Sequence, residues 1–220
     1  MKKWTLMISS LMLLSAGIAY NYLPDTIPTH WGIDGTADSF AGKFHVFSPV
    51  AISWMFTLGF LIVSHKTKED DRSSKWTKAF LLLFNVIMCS ILFFTIWQSL
   101  APNSIDAKVI ALPLMTITLM SAGNMMPKIK ANYFIGIRTP WTLGNKHVWY
   151  KTHRFAGKVW FFGGLLLLMG FFIPDAWMEI FMFMILLLLI ALPCLYSCIC
   201  FYSSMHNPYP KEDKERNSHD

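Results

Sequence analysis

Six long apolar runs separated by short polar segments dominate the chain, at residues 4–22, 46–64, 79–100, 109–126, 159–173 and 177–202. Hydrophobic residues fill each run almost continuously, without strict alternation and without one narrow stripe. That pattern predicts helices with apolar surroundings on every side. A helix needs about 20 such residues to cross the hydrocarbon core. The fifth run is short and relies on Trp160 and Phe161 at the interface, and the sixth is long and carries Pro193, which predicts a tilt or kink. The expected fold class is an all-α integral membrane protein with about six transmembrane helices.

Composition sharpens this. Of 220 residues 54% are hydrophobic and only 15% charged, with mean hydropathy +0.42, which excludes an ordinary soluble domain. Formal net charge is +6, and its placement matters more than its size. Basic residues beside a span resist translocation. An N-terminus inside the cell puts Lys2, Lys3 and the basic residues of 66–78, 128–158 and 211–216 in the cytoplasm, leaving only Lys43 and Lys108 outside. The same orientation puts Asp25, Asp34, Asp38, Asp106, Asp175 and Glu179 outside and both termini in the cytoplasm. Gly17-Ile18-Ala19 loosely fits a leader cleavage site, but an uncleaved first span is the reading taken, and cleavage would leave the loops where they are.

The chain then divides into a two-helix unit over 1–65 with an ordered extracellular loop at 23–45, a solvated cytoplasmic connector at 66–78, a four-helix unit over 79–202 with a basic cytoplasmic loop at 127–158, and a polar cytoplasmic tail at 203–220. Cys89, Cys194, Cys198 and Cys200 all fall inside spans, and the spacing of the last three is not that of zinc ligands, so free thiols packed as small apolar groups are expected. Away from their ends the spans hold no Asp, Glu, Lys or Arg, which argues against ion-coupled transport. Asn85, Gln98 and Asn124 are the main polar groups at membrane depth, read as interhelical or interfacial hydrogen-bonders, and Gly163, Gly164 and Gly170 as sites of close helix packing. Phosphate-loop, dinucleotide and hydrolase motifs are absent, so no catalytic residue, cofactor or metal is expected, nor direct nucleic-acid binding.

Two soluble segments carry candidate chemistry. In the outer loop Pro24 and Pro28 stiffen the backbone and Asp34-Gly35 signals a tight turn, so Pro24, Asp25, His30, Trp31, Gly35 and Asp38 belong to an ordered surface. His30 with Asp34 and Asp38 invites a metal or acid–base reading, against which stands an interfacial cap with Trp31 at headgroup level. The inner loop is different in kind: from Ala122 to Trp160 there is no Asp or Glu, while Lys128, Lys130, Arg138, Lys146, Lys151, Arg154 and Lys158 are all basic. Pro127 ends the fourth span, and Lys128 and Lys130 suit a helix C-terminus. Beyond them, Asn132, Tyr133, Phe134, Gly136, Ile137, Arg138, Thr139, Pro140, Trp141 and Thr142 read as a folded re-entrant or interfacial loop. From about Lys146 the pattern turns helical, with His147, Lys151, Arg154 and Lys158 on one stripe and Trp149, Ala156 and Trp160 on another, as in an interfacial helix running into the fifth span. Anchoring to anionic lipid and a cradle for an acidic partner both fit this stripe.

The stretch Gly123-Asn124, Pro127-Lys128, Lys130, Asn132-Tyr133-Phe134, Gly136 through Leu143, Asn145, Val148-Trp149, Lys151-Thr152-His153-Arg154, Gly157 and Trp160 resembles the SdpI family of bacterial membrane proteins. The outer loop, from Leu23-Pro24-Asp25 through His30-Trp31, Gly35 and Asp38, resembles the short N-terminal domain of unknown function that accompanies it. The resemblance implies a multi-pass protein of a bacterial plasma membrane that confers immunity to a secreted peptide toxin. It further implies a receptor that holds a small cytoplasmic transcriptional repressor at the bilayer. Two other readings stay open: an exporter of a small or amphiphilic compound, and a membrane enzyme gripping a lipid phosphate with Arg138, Lys151, His153 and Arg154, although that loop lacks a carboxylate to act as base or bind magnesium.

Overall fold

A computed structural model describes the chain apart from residues 1, 33, 67–70, 103, 132–135 and 207–220, and describes the backbone alone at 2, 63–66 and 71–77. The elements are α1 (Lys2–Tyr20), β1 (Thr26–Trp31), β2 (Ala37–Gly42), α2 (Ser48–Lys66), α3 (Asp71–Leu100), α4 (Ala107–Met125), α5 (Pro140–Gly144), α6 (Lys146–Leu167) and α7 (Asp175–His206). Short 3-10 turns extend this set at Lys43–Phe47, Met126–Lys128 and Leu168–Phe172. Six helices, α1 to α4 with α6 and α7, are long and apolar enough to cross a membrane, so the chain is a multi-pass membrane protein. The expected interfacial helix and fifth span form one continuous helix, α6. Conversely, α3 starts at Asp71, so the helix takes up much of the segment expected to be a connector.

The chain forms two compact units, Met1–Leu114 with Pro174–Met178, and Met115–Ile173 with Glu179–Asp220. The unit boundaries thus fall inside α4 and α7, and the first unit includes α3, which the hydrophobic pattern assigns to the later four helices.

In the first unit Met12, Ala16, Leu23, Ile27, Val46, Val50 and Leu92 make one core, to which the hairpin contributes the fully buried Ile27. Farther along the same helices lies a polar lock. The Asn85 side-chain oxygen accepts from the hydroxyls of Ser9 and Ser53, each at 2.7 Å, while its amide donates to Thr57 Oγ1 (3.2 Å) and to the Leu81 carbonyl (2.9 Å). Asn85 therefore joins α1, α2 and α3, as expected of an asparagine at that depth. Such bonds contribute only about 0.6 kcal/mol each in membranes, because the separated helices find other partners, so the lock sets register more than strength. Cys89, Cys194, Cys198 and Cys200 are free thiols.

The second unit is built on close approach. A Cβ at Gly123 would sit 2.6 Å from the Gly157 carbonyl oxygen, and one at Gly157 would sit 2.6 Å from the Gly123 oxygen and 3.0 Å from Pro127 Cδ. Any side chain there would force α4 and α6 apart. Gly163 meets Leu189 and Gly164 meets Leu119 and the Thr116 carbonyl, while Leu167, Ile185 and Leu189 form the apolar centre.

Candidate functional site

The outer loop folds as an antiparallel hairpin, with Thr26 opposite Gly42, Ile27 opposite Ala41 and Trp31 opposite Ala37, and irregular register on both sides of His30. Its turn depends on Asp34. The carboxylate accepts from the Thr36 hydroxyl at 2.7 Å and from the Thr36 amide at 3.1 Å, and these bonds hold Asp34 below the usual carboxylate range, the hydroxyl contributing most. Gly35, at φ +82°, turns the chain where a side chain would collide with Asp106, and its carbonyl accepts from the Ala107 amide at 3.3 Å. The hairpin thus rests on the N-terminal end of α4. Trp31 packs its ring 4.8 Å from that of Phe94, and Lys108 pairs with Asp175. The hairpin, Phe94 of α3, the start of α4 and Asp175 consequently form one cap.

Two side-chain pairs form within the hairpin. His30 Nδ1 lies 2.6 Å from Asp38 Oδ1, Lys43 lies 3.2 Å from Asp25, and both pairs face outward, the His30 and Asp38 side chains being 70% and 48% exposed. Asp34 is committed to Thr36 and does not join His30. Among the described residues no group of three His, Cys, Asp or Glu side chains is arranged to hold a metal ion. Pro24 and Asp25 are exposed, Trp31 is half-buried and Gly35 is buried.

The inner loop is assembled from caps. Thr139 opens α5 with a reciprocal capping box: its hydroxyl accepts from the Thr142 amide (3.2 Å) and the Thr142 hydroxyl accepts from the Thr139 amide (2.9 Å). Pro140 occupies the first turn, where a missing N–H costs nothing. Asn145 then opens α6 by accepting from the amides of His147 (2.9 Å) and Val148 (3.3 Å). Two stacked rings of α6 tie the preceding chain to it through their nitrogens. Trp149 donates its indole N–H to the Ile129 carbonyl at 2.9 Å, and His153 stacks on Trp149 with ring centres 4.0 Å apart. His153 Nδ1 donates to the Trp149 carbonyl (2.8 Å) while Nε2 accepts from the Ile137 amide (3.0 Å), which requires a neutral ring protonated on Nδ1. Gly136, at φ +124°, lies directly against both rings, where a side chain would strike His153 Nε2.

The candidate residues therefore separate into a frame and a face. Thr142, Trp149 and His153 are buried, and Gly136, Thr139 and Asn145 are half-buried parts of the same scaffold. Arg138, Lys151 and Arg154 are exposed, with Lys146 and Lys158, and Lys151, Arg154 and Lys158 share one side of α6. Asn124, Pro127 and Pro140 are exposed, while Lys130 and Trp141 are half-buried. Asn132 and Tyr133 lie outside the described residues. Grouping His153 with Arg138, Lys151 and Arg154 around a phosphate is corrected by this geometry, because backbone groups engage both ring nitrogens. A sequence signal for this existed: Trp149, His153, Gly157 and Trp160 recur at helical spacing along the apolar side.

Comparison with known proteins follows these two regions. Residues 128–197, covering the cap-built loop, all of α6 and much of α7, match the SdpI/YfhL protein family. That segment is similar to the SdpI family. Residues 7–53, from α1 through the hairpin to the start of α2, match a domain of unknown function, DUF1648. Immunity protein SdpI of Bacillus subtilis (strain 168) is 29% identical over 191 residues, 86% of this chain and 88% of that protein. No solved structure matches the chain. The frame formed by Thr139, Thr142, Asn145, Trp149 and His153 lies wholly within the SdpI segment, and the hairpin lies wholly within the other.

Proposed function

We propose that this chain is an immunity protein of a bacterial plasma membrane, protecting the cell against a secreted peptide toxin. It also holds a small transcriptional repressor at the inner surface. The observation that carries this reading is the likeness to Immunity protein SdpI along 86% of the chain. In the proposed orientation both termini are cytoplasmic, the hairpin faces outward and the SdpI loop faces inward, following the skew of basic residues. The hairpin cap and adjoining membrane surface meet the toxin. On the inner face the exposed Arg138, Lys151 and Arg154 meet an acidic surface of the repressor, a role supported by the absence of any Asp or Glu between Ala122 and Trp160. Reporting of toxin inward requires that its binding favour one of two loop arrangements by about 1–3 kcal/mol.

Expression of the full chain in a bacterium sensitive to such a peptide tests this. Survival should rise, and fractionation should move the repressor to membranes only when toxin is present. His30→Ala should weaken protection more than removal of the tail after Pro210. Unchanged survival, together with turnover or movement of a lipid phosphate by the purified chain, would replace immunity with enzymatic or carrier function.

A further inference from the structure

Pro193 stands inside α7, where a proline has no amide proton to give to the carbonyl four residues earlier. That carbonyl belongs to Leu189. It is not left bare: the Trp160 indole N–H, arriving from α6, donates to the Leu189 oxygen at 3.1 Å. The hydrogen bond that proline deletes from α7 is thus remade across two helices, in a region where no water supplies a substitute. The packing permits this approach, because Gly163, one turn along α6, lies against the Leu189 side chain with no Cβ of its own.

The placement along α7 gives the bond a consequence. Beyond Pro193 come the α7 groups that touch the SdpI loop and α6: Ser197 Oγ lies 3.2 Å from Thr139 Oγ1 at the cap of α5, and Tyr196 stacks on Phe155 with ring centres 4.3 Å apart. Before Pro193 lie Ile185 and Leu189, which belong to the apolar core. A proline between two such segments weakens the backbone coupling between them. We infer that Trp160 is a positioning residue whose indole replaces the amide proton missing at Pro193, and that this bond fixes the second part of α7 beneath the cap of the SdpI loop. The inference is independent of which toxin or repressor the chain serves.

The test is a double-variant cycle on the full chain in lipid nanodiscs, with Cys89, Cys194 and Cys198 replaced by alanine, read by the rate at which a maleimide labels the remaining Cys200. This thiol is buried in α7 beyond Pro193, so looser docking exposes it. W160F should raise the rate roughly 3- to 15-fold, the range expected for one interhelical hydrogen bond in a bilayer. P193A restores the amide proton, so W160F added to P193A should raise the rate less than twofold, roughly within the scatter of additive effects. If W160F fails to accumulate, recovery of accumulation in W160F/P193A supports the inference, and failure of the double variant where P193A accumulates overturns it. Where P193A itself does not fold, incorporation of 3-benzothienylalanine at position 160, which keeps the ring and deletes the N–H, should reproduce the W160F rate. Equal increases from W160F with and without P193A, or wild-type labelling with the analogue, would show that Trp160 acts by bulk alone and would overturn the inference.

Discussion

The hairpin cap and the SdpI loop are both ordered connections between apolar helices, yet they are held in opposite ways. The hairpin uses a backbone ladder, and its polar side chains pair locally, His30 with Asp38 and Asp25 with Lys43, while Lys108 pairs with Asp175 beside it. Among its described residues the SdpI loop has no ladder, and it relies on two helix caps and a buried pair of rings. Its sequence contributes seven basic side chains between Ala122 and Trp160 and no acid. The hairpin cap, where Asp25, Asp34, Asp38, Asp106 and Asp175 stand against Lys43 and Lys108, is mildly acidic, whereas the wholly basic loop attracts an anionic partner.

The largest expected effects come from the two glycines in left-handed conformation. Gly136→Val combines backbone strain with collision against His153 and should cost about 3 kcal/mol or more. Hydrogen exchange should quicken through 136–149 and remain unchanged in the hairpin. Gly35→Val should do the reverse, loosening 26–42 alone. Spread of either effect into the other region would break the comparison.

Two histidines sharpen it at smaller magnitude. His153→Ala leaves the half-buried Ile137 amide without its acceptor and should destabilise the second unit by about 1–3 kcal/mol, seen as faster exchange at Ile137. His30→Ala removes an exposed pair and should change stability by less than about 1 kcal/mol. Arg138→Ala and Arg154→Ala test the face: membrane abundance should stay near that of the parent chain, with stability altered by about 0.5 kcal/mol or less. Retention of the repressor at membranes should nevertheless fall. Full retention would leave lipid anchoring as sufficient reason for these cations.

The smallest effect concerns acid. Folding holds the Asp34 carboxyl below its ordinary value of 3.8, so its contribution to the turn is complete above that pH and is lost as pH falls through the depressed folded value. The Thr36 amide resonance should hold steady from neutral pH to about 4 and shift below it. Asp34→Asn should remove that step.

How much of this was legible in sequence follows from the range of each interaction. Six helices could be read because lipid demands long apolar runs, and Asn85 because a polar group at depth must find a neighbouring helix. The ordered outer loop could be read from Pro24, Pro28 and Asp34-Gly35, but not the hairpin itself, since Pro28 and His30 interrupt strand alternation and the ladder depends on pairing across the turn. In the SdpI loop, spacing placed Lys151 and Arg154 on one stripe correctly. His153 was not on that stripe, and its place in the frame could not be read because the acceptor role of the ring is defined by Ile137, sixteen residues earlier. Trp160 and Leu189 are 29 residues apart, and nothing periodic connects them.

Thiol labelling in intact cells decides whether the hairpin and the basic loop face opposite sides of the bilayer, as proposed. With the four native cysteines replaced, Ser39→Cys on the exposed edge of the hairpin should react with an impermeant maleimide added outside, and Gly144→Cys at the exposed end of α5 should react only after lysis. Labelling of Gly144→Cys in intact cells, or protection of Ser39→Cys until lysis, would contradict the proposed orientation and the division of labour built on it.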